Sequence, residues 1–249
     1  MEMSTLVEFT SDTVSGVTSR ATDVLVLWDI DLTLVDLSGT GGAWYRQALQ
    51  TVAGVTLDRM PSFPGRTELA ITTELLTAHG IEPTPDLVDA LWRELVAVAT
   101  ATSPLHEVGT ALPGAAEVLA DLAGRGGVVQ SLVTGNLPEI AHHKLASFGL
   151  HTHLDFDIGG YGTVSAHRPD LVAKAVELAA GKHGTAPGEV VVIGDTPHDV
   201  AAALACGATA VGVATGRHDR AALAESGAHV VLSDLSDTAA AVAAILGRS

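Results

Sequence analysis

A chain of 249 residues suits one large α/β domain, or a core with a small accessory domain, and a hydrophobic fraction of 47% allows a substantial interior. A formal charge of −16, with only 13 Lys and Arg, disfavours nucleic acid and anionic membranes as partners. It does not exclude a phosphorylated small molecule, since one local Arg and a metal can reverse the sign of a pocket. The lone cysteine, Cys206, rules out an internal disulfide and fits a reducing cytoplasm, and no apolar run is long enough to span a bilayer.

In chain order, residues 1–20 are polar and acidic, without a basic segment followed by an apolar one. They read as an N-terminal extension rather than a secretory signal. The run Val24, Leu25, Val26, Leu27, Trp28 then ends abruptly in Asp29-Ile30-Asp31, with Thr33 two residues later. An unbroken apolar run reads as a strand buried on both faces of a parallel sheet. Ligands of open α/β sheets sit at the carboxyl ends of such strands, so Asp29 and Asp31 fall where a site belongs. Carboxylates placed there are costly unless something positive meets them, and a divalent cation is the natural partner.

Residues 38–110 offer helical patterns at 43–52, 68–79 and 85–100 but no strand, which predicts a helical insertion. Gly39, Gly41 and Gly42 on entry, and Gly109 and Pro113 on exit, supply its hinges. After Leu112 the rhythm alternates. Helices are predicted at 115–124, 138–148, 169–180, 197–206 and 235–246, and strands at 128–133, 190–193, 209–213 and 229–232. This βα alternation predicts a Rossmann-like, mostly parallel sheet with helices on both faces. The core would comprise residues 21–37 and 111–249.

Three later strand or helix boundaries carry chemistry: Thr134-Gly135-Asn136, Arg168-Pro169, and Gly194-Asp195-Thr196-Pro197-His198-Asp199. With Asp29-x-Asp31-x-Thr33, in this order, the set resembles the haloacid dehalogenase-like (HAD) hydrolase superfamily over residues 23–246. Most members of that superfamily are magnesium-dependent phosphatases. The insertion at 38–110 stands where one subgroup, including phosphoglycolate phosphatase and β-phosphoglucomutase, carries a small helical cap domain. Gly65-Arg66-Thr67 also resembles a segment of those caps.

The resemblance implies a role for each position. Asp29 would be the nucleophile, forming an aspartyl-phosphate, as a carboxylate needs no base to activate it at neutral pH. Asp31 would be the general acid and base, its backbone carbonyl facing the metal. Thr134, Gly135 and Asn136 would cradle the phosphoryl group, Arg168 would neutralise it, and Arg66 would reach it from the cap. Asp195 would bind Mg²⁺ directly, and Asp199 through water or by orienting its neighbours; Mg²⁺ favours few protein carboxylates. Thr33 would fix the turn after the first strand. Two departures stand out. Leu32 occupies a position where many relatives have Gly, and Arg168 one where Lys is commoner.

Other residues read more plainly. Trp44, Tyr45, Arg46 and Trp92 read mainly as packing or surface residues of the insertion. The eleven histidines lack a convincing ligand set, His198 reads as a surface residue, and Cys206 among alanines reads as a small core residue. The expected activity is hydrolysis of a phosphate monoester on a small metabolite by a cytoplasmic monomer or homodimer. A phosphomutase is the nearest alternative, and a non-catalytic binding or regulatory relative another. Dehalogenase chemistry is disfavoured by Asp31. Phosphonate cleavage is disfavoured because none of the three lysines (Lys144, Lys174, Lys182) lies in the insertion.

Overall fold

Strand β1 (Val24–Trp28) lies at the centre of a six-stranded sheet of order β5-β4-β1-β6-β7-β8. Its companions are β4 (Val128–Thr134), β5 (Gly160–Tyr161), β6 (Glu189–Gly194), β7 (Thr209–Val213) and β8 (Val230–Leu232), and every pairing in this sheet is parallel. The computed structural model describes residues 23–102 and 104–247, so the acidic extension read from residues 1–20 lies outside the described residues.

Side chains alternate across a strand, and β1 uses both faces. Val26 and Trp28 pack in a cluster with Leu119 and Leu122 of α4 (Ala115–Ala123), Leu145 of α5 (Pro138–Ser147) and Ile245 of α9 (Thr238–Ile245). Leu25 and Leu27 pack on the other side with Leu171 and Val172 of α6 (Arg168–His183), Ala203 of α7 (Pro197–Ala205) and Leu223 of α8 (Arg220–Glu225). The sheet is therefore covered by helices on both faces, as the unbroken apolar run requires. Trp28 stands level with Leu132 of β4 and Ile193 of β6, so the exits of β4, β1 and β6 open side by side.

A second, two-stranded antiparallel sheet joins β2 (Val35–Asp36) to β3 (Thr110–Ala111). At this stem the chain leaves for, and returns from, the helices α1 (Thr40–Ala53), α2 (Glu68–Ala78) and α3 (Pro85–Ala101). Periodicity does not reveal β2, β3 or β5, because two residues are too few to alternate. Helix α9 starts at Thr238 rather than 235, since the Asp237 carboxylate caps it by accepting from Ala240 N at 3.0 Å.

The insertion is sewn to the core by backbone. Glu68 N donates to Gly135 O at 2.9 Å, and Leu69 N to Gly162 O at 3.0 Å. A Cβ on Gly135 would stand 2.0 Å from the Arg66 carbonyl oxygen, so the approach needs glycine there. Trp44, Ile71 and Leu75 belong to the same apolar cluster as Val26 and Trp28. Among the described residues, no helix is long and apolar enough to cross a membrane.

Candidate active site

Asp29 continues β1 by one residue, its N–H held by Ile193 O at 2.8 Å, and its side chain is buried. The chain then turns sharply. Leu32 N reaches Val35 O at 2.8 Å, which forces Leu32 to a φ of +63°, a left-handed conformation that glycine adopts without strain. The Thr215 hydroxyl, from the loop after β7, donates to the Leu32 carbonyl at 2.6 Å and braces this turn. Thr33 contributes its backbone, through Thr33 N to Ile30 O at 3.3 Å; among the described residues its buried hydroxyl has no hydrogen-bond partner.

Three carboxylates from distant parts of the chain meet beside this turn. Asp29, Asp195 and Asp199 are all buried, and each brings an oxygen within 4.8 Å of the others. Asp195 follows β6 and Asp199 lies in the first turn of α7. Arg168, also buried at the start of α6, places Nη2 2.7 Å from Asp29 Oδ1 and 2.6 Å from Asp199 Oδ1. One guanidinium thus faces three acids. Burial, then the charge of Asp199, pushes the Asp29 carboxyl up to about 7. Burial, then the charges of Asp29 and Asp199, pushes Asp195 up to about 8. Among the described residues, the buried Asp195 Oδ1 has no hydrogen-bond partner. An orphaned buried oxygen, surplus negative charge and an all-carboxylate donor set fit a hard divalent cation.

Asp199 also builds its own surroundings. Its Oδ2 accepts from Thr196 N at 3.0 Å and from the Thr196 hydroxyl at 2.6 Å, closing a capping box at the start of α7. This leaves its other oxygen for Arg168 and the acidic cluster.

Asp31 stands apart from that cluster. Its carboxylate, half exposed to the neighbouring cavity, accepts from Lys144 Nζ at 2.6 and 2.8 Å and from Asn136 Nδ2 at 2.8 Å. Asn136 Oδ1 in turn accepts from Lys144 at 2.7 Å, and the Thr134 hydroxyl oxygen accepts from Asn136 Nδ2 at 2.7 Å. Thr134, Asn136 and Asp31 are therefore one network, with Gly135 turned toward the insertion through its carbonyl. Lys144 is a site residue that sequence reasoning missed. A usable signal existed: it shares the buried stripe of Ile140, Ala141 and Leu145 on α5, where a lysine is out of place without a partner.

A cavity of about 380 Å³ separates these strand ends from the insertion, with Asp29, Asp31, Lys144 and Arg168 on one wall and Trp44, Tyr45, Phe63 and Glu68 on the other. Glu68, also missed, is buried, hydrogen-bonded to the Tyr45 hydroxyl, and pushed up to about 7 by burial. Arg66 lines the cavity, but its guanidinium is paired with Glu74 at 2.6 Å and bonded to the Ser62 and Ala70 carbonyls. Trp44 and Tyr45 are buried, Trp92 bonds Thr72 at 3.0 Å, and Arg46 is exposed. His198 is exposed and packs over Gly65. His142 and His151 meet edge to face at 5.5 Å, and among the described residues no histidine joins a metal-ligating group. Cys206 corrects an expectation: it lies exposed at the end of α7 instead of in the core, its thiol directed at the Pro169 carbonyl 3.3 Å away.

Comparison with known proteins agrees with this geometry. The chain is 27% identical over 238 residues to the probable phosphatase IndB of Dickeya dadantii (strain 3937), covering 90% of this chain and 96% of that protein. The crystal structure of a hydrolase from Pseudomonas syringae is 26% identical, covers 88% of this chain and 96% of its own, and superposes with a TM-score of 0.61. A predicted phosphoglycolate phosphatase from Haemophilus somnus 129PT shares the fold, with 19% identity, coverage of 91% and 99%, and a TM-score of 0.60. The model of the haloacid dehalogenase-like hydrolases matches residues 26–204, a span that runs from β1 through the acidic start of α7. The chain belongs to the haloacid dehalogenase-like hydrolase family.

Proposed function

We propose that the protein is a Mg²⁺-dependent cytoplasmic phosphatase that hydrolyses the phosphate monoester of a small metabolite through an aspartyl-phosphate on Asp29. The observation that carries this reading is the buried convergence of Asp29, Asp195, Asp199 and Arg168 beside a cavity into which Asp31 projects. Its likeness to a probable phosphatase along nearly its whole length supports the same class.

In this reading Arg168 holds Asp29 Oδ1, leaving Oδ2 to attack phosphorus in line with the departing oxygen. The bond from phosphorus to the leaving oxygen breaks, and Asp31 gives that oxygen its proton. Asp31 then takes a proton from a water that attacks phosphorus, and the Asp29–phosphorus bond breaks to release inorganic phosphate. The Thr134 hydroxyl, which accepts from Asn136, has its own proton left for a phosphoryl oxygen. Mg²⁺, held by Asp29, Asp195, the Asp31 carbonyl and, through water, Asp199, would offset the charge shared by the nucleophile and the phosphoryl group. The helices of residues 38–110 serve as a cap that closes over the substrate to exclude water, flexing at the β2–β3 stem. The cavity volume suits a small phosphorylated metabolite.

A phosphate-release screen over phosphorylated metabolites, with Asp29→Asn as blank, tests the proposal. Release by the wild-type protein alone supports it; equal release by both proteins removes Asp29 from the chemistry.

A further inference from the structure

The buried lysine of α5 has no part in the scheme above, and its surroundings define what it does. Lys144 is 6% exposed, and its ammonium spends its donors on Asp31 Oδ1 at 2.6 Å, Asp31 Oδ2 at 2.8 Å and Asn136 Oδ1 at 2.7 Å. The third side of the ring is Asn136 Nδ2 to Asp31 Oδ2 at 2.8 Å. Three side chains, from the exit of β1, the exit of β4 and the second turn of α5, thus close on one another. Trp44 of α1 lies against the ammonium, 5.8 Å from ring centroid to Nζ.

Packing does not call for this lysine. Its neighbours on the α5 stripe are Ile140, Ala141 and Leu145, so an apolar side chain would suit the position. The carboxylate it grips does need restraint. Asp31 follows the end of β1 and its side chain is half exposed, so without these partners its carboxylate is free to change rotamer and lose its aim into the cavity. Held by Lys144 and Asn136, its carboxylate stays on the cavity side, with 47% of the side chain exposed there.

We propose that Lys144 is a positioning residue that clamps Asp31 toward the leaving-group side of the cavity. This inference rests on the phosphatase reading. The proton that Asp31 gives to the leaving oxygen, and later takes from water, travels through a carboxylate that Lys144 and Asn136 aim.

Leaving-group dependence tests it. With Mg²⁺ present, kcat/KM is measured for the wild type, Lys144→Met, Lys144→Gln, Asp31→Asn and the double variant Lys144→Met/Asp31→Asn on p-nitrophenyl phosphate and on an unactivated alkyl phosphate. A nitrophenolate departs without a proton and an alkoxide does not, and kcat/KM reports the step in which the leaving group departs. The expected loss in Lys144→Met is about 100-fold on the alkyl ester and at least tenfold smaller on the nitrophenyl ester, with little further loss on adding Asp31→Asn. Equal losses on both esters would make Lys144 a structural residue and overturn the assignment. So would a rise in KM on both esters at unchanged kcat, which marks direct substrate binding. Lys144→Gln, neutral but still a donor, carries the same comparison if Lys144→Met does not fold. A wild-type protein inactive on every ester overturns the phosphatase reading and this inference with it; an active wild type with no leaving-group discrimination in the variants overturns this inference alone.

Discussion

Arg168 Nη2 stands 2.7 Å from Asp29 Oδ1, joining residues 139 apart in the chain at the point where β1 ends and α6 begins. The same nitrogen reaches Asp199 at 2.6 Å, so a single cation ties the first strand, α6 and α7 together. Arg168→Met should lower phosphate release by about 10²–10³-fold, the usual cost of removing one preorganised charged donor. It should also lower the thermal midpoint, because two buried carboxylates lose their partner. Arg168→Lys should retain part of both. Full activity in Arg168→Met would show that the guanidinium is only structural.

The acidic cluster makes stability depend on pH in a definite direction. Asp29 and Asp195 are raised from an ordinary value of 3.8 to about 7 and about 8, in both cases first by burial, then by the charge of Asp199 for Asp29 and by the charges of Asp29 and Asp199 for Asp195. In the metal-free protein they hold protons that the unfolded chain has already released. Their contribution to stability is therefore complete below about pH 4 and is lost as pH rises through 7 to 8. Thermal denaturation in chelator should show the midpoint falling as pH rises from about 4 to about 8 and levelling above that, and millimolar Mg²⁺ should recover most of the loss at pH 9. A midpoint that ignores Mg²⁺ at pH 9 would count against a metal at these carboxylates.

Leu32 carries a local strain that a substitution should relieve. Its φ of +63° costs a residue with a Cβ about 1–2 kcal/mol, and its side chain is only partly buried. Leu32→Gly should therefore stabilise the protein by about 1 kcal/mol after the entropy cost of glycine, read from denaturant unfolding. Destabilisation would mean that the leucine side chain packs strongly enough to outweigh the turn.

Gly135 is the close contact between core and insertion. A methyl group there would meet the Arg66 carbonyl at 2.0 Å and displace the start of α2 from its bond to the Gly135 carbonyl. Gly135→Ala should hold the insertion away from the strand ends. Proteolysis near the β2–β3 stem should accelerate, and kcat/KM should drop at least tenfold while the core keeps its helical circular dichroism. Unchanged proteolysis and turnover would show that the insertion does not need this seat.

Much of the architecture was legible because β1, β4, β6 and β7 are long enough, and apolar enough, to declare themselves. Charged residues directly after buried strands are conspicuous, which is why Asp29, Asp31 and Asp195 stood out. Lys144 and Glu68 did not. Each lies within a helix whose apolar spacing reads as core, and only tertiary pairing with Asp31 and Tyr45 reveals a polar site. The pairing of Arg66 with Glu74 was not legible either, since a guanidinium beside a glycine gives no sign of its partner. Cys206 misled because an alanine-rich helix looks the same on its buried and exposed sides. The strands β2, β3 and β5 have two residues each, too few for any period to register.

The central claim, covalent catalysis by Asp29, is tested most directly by acid-quenching the enzyme during turnover of a substrate from the screen and mapping phosphoryl adducts by mass spectrometry. The account predicts an acid-stable, base-labile adduct on the peptide carrying Asp29, absent from Asp29→Asn, which should also release no phosphate. An adduct on another residue, or wild-type turnover by Asp29→Asn, would contradict it.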